Sequence, residues 1–108
     1  MSQVKRIFLF SSFVAGTKYV SNAEELKHQR KNGELVLFYH ESDNKFDLSA
    51  VQIQTLKKER IGYLPREDNI VVCRLLKAGK KITGIIEDVE SKTRWNKIQI
   101  GVYLEEEM

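Results

Sequence analysis

Six runs of strand-forming residues, spread along the whole chain and separated by turn chemistry, constrain this sequence more than any other feature. Ile7 to Gly16, Glu34 to His40, Ala50 to Leu56, Ile61 to Leu64, Ile82 to Val89 and Ile98 to Leu104 are each rich in β-branched, aromatic or large apolar residues, which suit a pleated, half-buried surface. In two runs the alternation assigns a face. Val51 and Ile53 oppose Gln52 and Gln54, and Ile98, Ile100, Val102 and Leu104 form one inward row. Two segments read as helices. Ser21 or Asn22, each three residues ahead of a glutamate, has the spacing of a capping box and opens a short surface helix that Asn32-Gly33 ends. Pro65 closes the strand before it and opens a second helix, with Asp68 or Asn69 as candidate caps. Its Ile70 to Leu76 stretch is apolar nearly all round and stops at Ala78-Gly79. No βαβ alternation is present, so the expected fold is mostly β, a small antiparallel β-barrel of about six strands with one core helix and one short surface helix.

Size and charge narrow the reading further. A chain of 108 residues is expected to be one domain, with a core over residues 7–104 and an acidic tail over 105–108. The net charge is +3, but Glu105, Glu106 and Glu107 mask a body of 18 basic and 12 acidic side chains, a net +6 that can attract polyanions. No apolar run approaches the ~18 residues of a membrane span, and Ile7-Phe8-Leu9-Phe10 is too short for a signal-peptide core. The one cysteine, Cys73, has no partner for an internal disulfide, which agrees with a reducing compartment. A cytoplasmic protein with no membrane partner is therefore expected.

Enzymatic readings fare poorly. Ala78-Gly79-Lys80-Lys81 lacks the leading glycine and the hydroxyl residue of a phosphate-binding loop. His28, His40 and Cys73 are too few and too scattered for zinc, and the 43–47 segment lacks the glycine and closing glutamate of a calcium loop. Glu41, Asp43 and Asp47 have no further acid to complete a nuclease metal site. No catalytic residue, metal or cofactor is expected.

Polar and aromatic residues instead gather in three clusters at strand ends: Val14-Ala15-Gly16-Thr17-Lys18-Tyr19, then Glu41-Ser42-Asp43-Asn44-Lys45-Phe46-Asp47 with Ala50 just after, then Gly62-Tyr63-Leu64-Pro65-Arg66-Glu67-Asp68-Asn69. A compact fold can bring all three to one rim. In this order, ahead of an apolar helix and a trailing hairpin, they resemble the HIRAN domain, a small module found at the N-termini of certain DNA-fork-remodelling translocases and as a standalone bacterial and phage protein. The resemblance covers roughly residues 7 to 104. It implies an OB-like barrel that binds single-stranded DNA, captures a free 3′ end in the best-understood members, and serves DNA repair or fork processing. By the same resemblance, Lys18 and Tyr19 match a basic-aromatic pair holding the terminal nucleotides, Asn44, Phe46 and Asp47 match an Asn-x-aromatic-Asp loop of that pocket, and Tyr63 falls where the family places a polar ring. Val20 stands where a second aromatic is the pattern, and Lys18 where an arginine is.

Each candidate also has a plainer role. Asn44 and Asp47 can serve as turn residues, Phe46 and Tyr63 as core aromatics, and Gly16 and Gly62 as backbone necessities. Arg66 and Trp95 are additional candidate contacts, the first equally a helix-start residue and the second equally a loop ring folded onto the barrel. Two functions of different class follow: a single-stranded-DNA-binding module, or a protein-interaction module on the same barrel.

Overall fold

The computed structural model describes residues 3–16, 25, 29–89 and 98–107. Strands β1 (Val4–Phe13), β2 (Leu35–His40), β3 (Val51–Gln54), β4 (Arg60–Tyr63), β5 (Lys81–Val89) and β6 (Ile98–Glu107) form one sheet in the order β1-β6-β5-β2-β3-β4. Every neighbouring pair is antiparallel. The helix α1 (Arg66–Lys77) links β4 to β5. The fold is thus mostly β and OB-like, as expected, although the sheet is not a fully closed barrel. Its two ends meet at one point, where Ala15 and Tyr63 exchange backbone hydrogen bonds of 2.8 Å in both directions. Bulges at Leu9 in β1 and Glu87 in β5 interrupt the register and help bend the sheet toward that meeting.

Alternation builds the core. Val36, Val51, Ile53, Ile61, Ile82, Ile86, Ile98, Ile100 and Val102 all point to one side, where Val72 and Cys73 of α1 pack among them. Gly84 permits a close approach in the same layer, since a Cβ there would lie 2.6 Å from the Val36 side chain. Leu104, expected inward with its row, is half-buried at the core margin.

Several local expectations are corrected. β1 begins at Val4 rather than Ile7, and β6 continues through Glu105, Glu106 and Glu107, the residues read as a tail. The reason is cross-strand charge: Glu105 faces Arg6 and Glu106 faces Lys5, and Arg6 Nε donates to Glu105 Oε1 at 3.2 Å. Pro65 is not the first helical residue but the cap position, with an extended ψ of 148°, and no side chain caps α1. Asp68 and Asn69 lie inside the helix and spend their side chains on tertiary partners. The helix is also not apolar-buried all round: Ile70 and Val71 are about half exposed, because a helix against an open sheet covers only one of its faces. Its end is as read, with Gly79 at φ +80°, Gly79 N bonded to Leu76 O and Lys80 N to Leu75 O, a Schellman closure. The short helix ahead of Asn32-Gly33 falls outside the described residues, Glu25 apart, as does the loop from Ser91 to Asn96.

Candidate functional site

At the point where Ala15 meets Tyr63, three chain segments bound an open cleft of about 660 Å³. Ala15 and Gly16 after β1, Asn44, Phe46, Asp47 and Ala50 between β2 and β3, and the stretch from Tyr63 to Arg66 with Asn69 line it. Gly16 has φ +64°, a left-handed turn that lets the chain leave the bridge without a Cβ clash. Because α1 starts directly after β4, its first turn lies against this cleft.

The β2–β3 connection is shaped from within. Glu41 N still donates to Ala50 O, so the hairpin ladder runs one step past His40 before the loop opens. Asn44 Oδ1 then accepts from the amides of Phe46 (2.9 Å) and Asp47 (3.0 Å), and Asp47 Oδ1 accepts from Ser49 N (2.9 Å). These are successive Asx turns. His40 Nε2 bonds Leu48 O from the adjoining strand. With its backbone so tied, the loop presents the Phe46 ring to solvent at 90% exposure. Phe46 is therefore not a core aromatic.

Asp47 is held in place by α1. Asn69, only 2% exposed, donates from Nδ2 to Asp47 Oδ2 at 2.9 Å. A buried amide needs such a partner, which is why this residue is a link and not a cap. Asp68 likewise accepts from the buried Ser12 hydroxyl at 2.7 Å and fastens α1 to β1. Arg66 Nε lies 3.8 Å from Asp47 Oδ2 on a side chain 76% exposed, so its guanidinium stands at the cleft mouth beside the carboxylate. Each Asp47 oxygen retains lone-pair capacity for one more donor.

Tyr63 faces a second carboxylate. Its hydroxyl donates to Glu41 Oε2 at 2.7 Å and accepts from Arg60 Nη1 at 3.0 Å. Gln52 Nε2 donates to the same Glu41 oxygen, and Asn44 Nδ2 donates to Glu41 Oε1 at 3.1 Å. Partial burial pushes the Glu41 carboxyl up, but the bonds from Tyr63, Gln52 and Asn44, with the Arg60 charge, outweigh it and hold the group below its ordinary value. Burial first, and then donation to Glu41, raises the Tyr63 hydroxyl above its ordinary value. The signs set a pH window. Stability from Glu41 is present above the usual carboxylate range and is lost as pH falls through its lowered value; that from Tyr63 is present below about 10 and is lost as pH rises through its raised value. Thermal midpoints scanned from acid to alkaline pH should therefore show both limbs in the wild type, with the acid limb shallower in Glu41→Gln and the alkaline limb shallower in Tyr63→Phe. Unchanged limbs in these variants would contradict the assignment.

Among the described residues, no group of three or more His, Cys, Asp or Glu is placed to hold a metal ion, and no helix is long and apolar enough to cross a membrane.

The model of the HIRAN domain matches residues 7–107. The chain belongs to the HIRAN domain family. Solved structures agree on the fold. A crystal structure of a protein from Lactobacillus plantarum superposes with a TM-score of 0.88 at 23% identity, covering 96% of this chain and 99% of that one. The HIRAN domain of human HLTF matches in its crystal structure with a TM-score of 0.72 and in its NMR structure with 0.65, each at 14% identity over 93% of this chain and 78% of that one. No curated protein matches the chain.

Within this HIRAN domain, Asn44, Phe46, Asp47, Tyr63 and Arg66 all line the one cleft. Lys18, Tyr19 and Trp95 lie outside the described residues, although Gly16, just ahead of the first two, borders the cleft. Two residues that matter to the geometry, Glu41 and Asn69, stand in the three clusters but were not among the expected contact residues. The available signal was spacing: a carboxylate at a strand end three residues before an asparagine, and an amide on the buried side of an apolar helix.

Proposed function

We infer that this chain is a non-catalytic nucleic-acid-binding module that takes single-stranded DNA, with its free 3′ end, in the cleft. The observation that carries this reading is Phe46. A fully presented ring, fixed by its own loop backbone at the lip of a cleft, is expensive surface with no role in the core, and aromatic faces stack on any base for about 1–3 kcal/mol each. Its neighbours supply the rest of a terminal nucleotide's chemistry. The Asp47 carboxylate can accept from a terminal sugar hydroxyl, Arg66 can bear on phosphate and Tyr63 offers a further ring, and the sequence resemblance adds the charge of Lys18 and the ring of Tyr19. Family membership supports the same reading, and a role in DNA repair or fork processing fits it. Trp95 remains a further candidate contact.

The test is an anisotropy titration with one labelled sequence, offered as a single strand and as a blunt duplex at several salt concentrations. The single strand should bind more tightly, and affinity should fall with salt by a slope of about −0.7 per phosphate contacted. Equal affinity for the two forms, or none even at low salt, would overturn the reading and leave a protein partner for the same rim.

A further inference from the structure

The Glu41 carboxylate is not among the residues that line the cleft, yet it accepts three side-chain hydrogen bonds beside it. Its two oxygens receive Tyr63 from β4, Gln52 from β3 and Asn44 from the loop itself, and Gln54 Nε2 extends the chain by donating to Gln52 Oε1 at 2.6 Å. Three groups on three segments thus converge on one residue at the end of β2. Gln52 and Asn44 bring amide hydrogens, which need an acceptor, and Tyr63 already accepts from Arg60 and so directs its own hydrogen to the same place. Only a group with two acceptor oxygens satisfies all three at once. Of these partners, Asn44 is the one whose other end, Oδ1, fixes the amides of Phe46 and Asp47. The order of connection therefore runs from the sheet through Glu41 to Asn44 and then to the two residues that face the cleft.

We propose that Glu41 is the positioning residue of the site: it touches no ligand, but it locks Asn44 in the rotamer that sets the Phe46 ring and the Asp47 carboxylate at the cleft, and it ties that setting to β3 and β4. This rests on the reading of the cleft as a single-strand site for its effect on binding, but its effect on the loop does not depend on any ligand. In Glu41→Gln one acceptor becomes a donor among donors, so Asn44 loses its anchor while the loop keeps its sequence and its ring.

Two measurements test it on the full chain. In the ligand-free protein, amide hydrogen exchange at Phe46 and Asp47 should speed by about tenfold or more in Glu41→Gln, a factor that corresponds to ~1.4 kcal/mol, while amides of Ile53 and Ile100 in the sheet hold their protection. For binding of a single-stranded oligonucleotide with a 3′-hydroxyl, Glu41→Gln and Asn44→Ala should each weaken affinity, and the double variant should be no weaker than Asn44→Ala alone, because the two act in series. Should Glu41→Gln not fold, Tyr63→Phe, which removes one donor and leaves the charge and the Asn44 bond, should speed the same two amides by a smaller factor. Unmoved Phe46 and Asp47 exchange in these variants, or losses that add in the double variant, would overturn the proposal. If the wild type binds no single strand, the functional reading fails by itself, and the exchange measurement still decides the role of Glu41.

Discussion

Phe46→Ala is expected to weaken single-strand binding by about 5- to 150-fold, the equivalent of losing one stacked base at roughly 1–3 kcal/mol, and to leave the thermal midpoint almost where it was. Both halves follow from the ring's position. At 90% exposure it contributes almost nothing to the core, and exposed substitutions usually stay within about 0.5 kcal/mol. The backbone amide that Asn44 Oδ1 receives is retained in alanine, so the loop should keep its shape. The result to compare is a core truncation such as Ile100→Ala, in which a fully buried side chain of β6 is removed and stability falls by about 2–5 kcal/mol while the rim is untouched. A Phe46 variant that melts early would show that the ring is packed in solution; one that binds as the wild type does would remove the stacking platform from the account.

The strands were legible because their side-chain chemistry is redundant. Val51 and Ile53, or Ile98, Ile100 and Val102, declare both the element and its buried face, and the structure buries each of them. Where the signal failed, a tertiary partner had overridden a local rule. Three consecutive glutamates read as a tail until Arg6 and Lys5 are placed opposite the first two of them in β1. Asp68 and Asn69 have cap chemistry, but Pro65 already fills the cap position, and Ser12 and Asp47 claim those side chains from elsewhere in the fold. The apolar run from Ile70 to Leu76 says that a helix is buried without saying on how many sides, and the open sheet covers one.

The candidate site was legible in part. Its clusters at strand ends do meet, since Ala15 pairs with Tyr63 and the loop after β2 lies across from both. What residue types did not disclose was the division of labour among them. Asn44 spends its amide on Glu41 and its carbonyl on two backbone donors, so it builds the loop, whereas Phe46 spends nothing. Glu41 and Asn69 looked like a strand end and a helix start, and only the folded chain shows that one anchors Asn44 and the other Asp47. A hydrogen bond between residues far apart in sequence, such as Asn69 to Asp47, has no periodicity to give it away.

Asp47 provides the most direct test of the cleft as a receptor for a strand end. Its carboxylate is oriented by Ser49 and Asn69, and the Arg66 charge that partly offsets it is 3.8 Å away and largely solvated. A terminal 3′-hydroxyl can donate to it; a 3′-phosphate brings like charge and, when doubly ionised, no donor, and repulsion is strengthened where water is partly excluded. The measurement is the affinity of one oligonucleotide bearing a 3′-hydroxyl, a 3′-phosphate or a 5′-phosphate, for the wild type and for Asp47→Asn. The wild type should prefer the 3′-hydroxyl over the 3′-phosphate by about tenfold or more, ~1.4 kcal/mol, be nearly indifferent to the 5′ group, and lose most of that preference in Asp47→Asn. Equal binding of both 3′ ends by the wild type, or one uniform change across all three oligonucleotides in the variant, would contradict end capture and return Asp47 to the role of a turn residue.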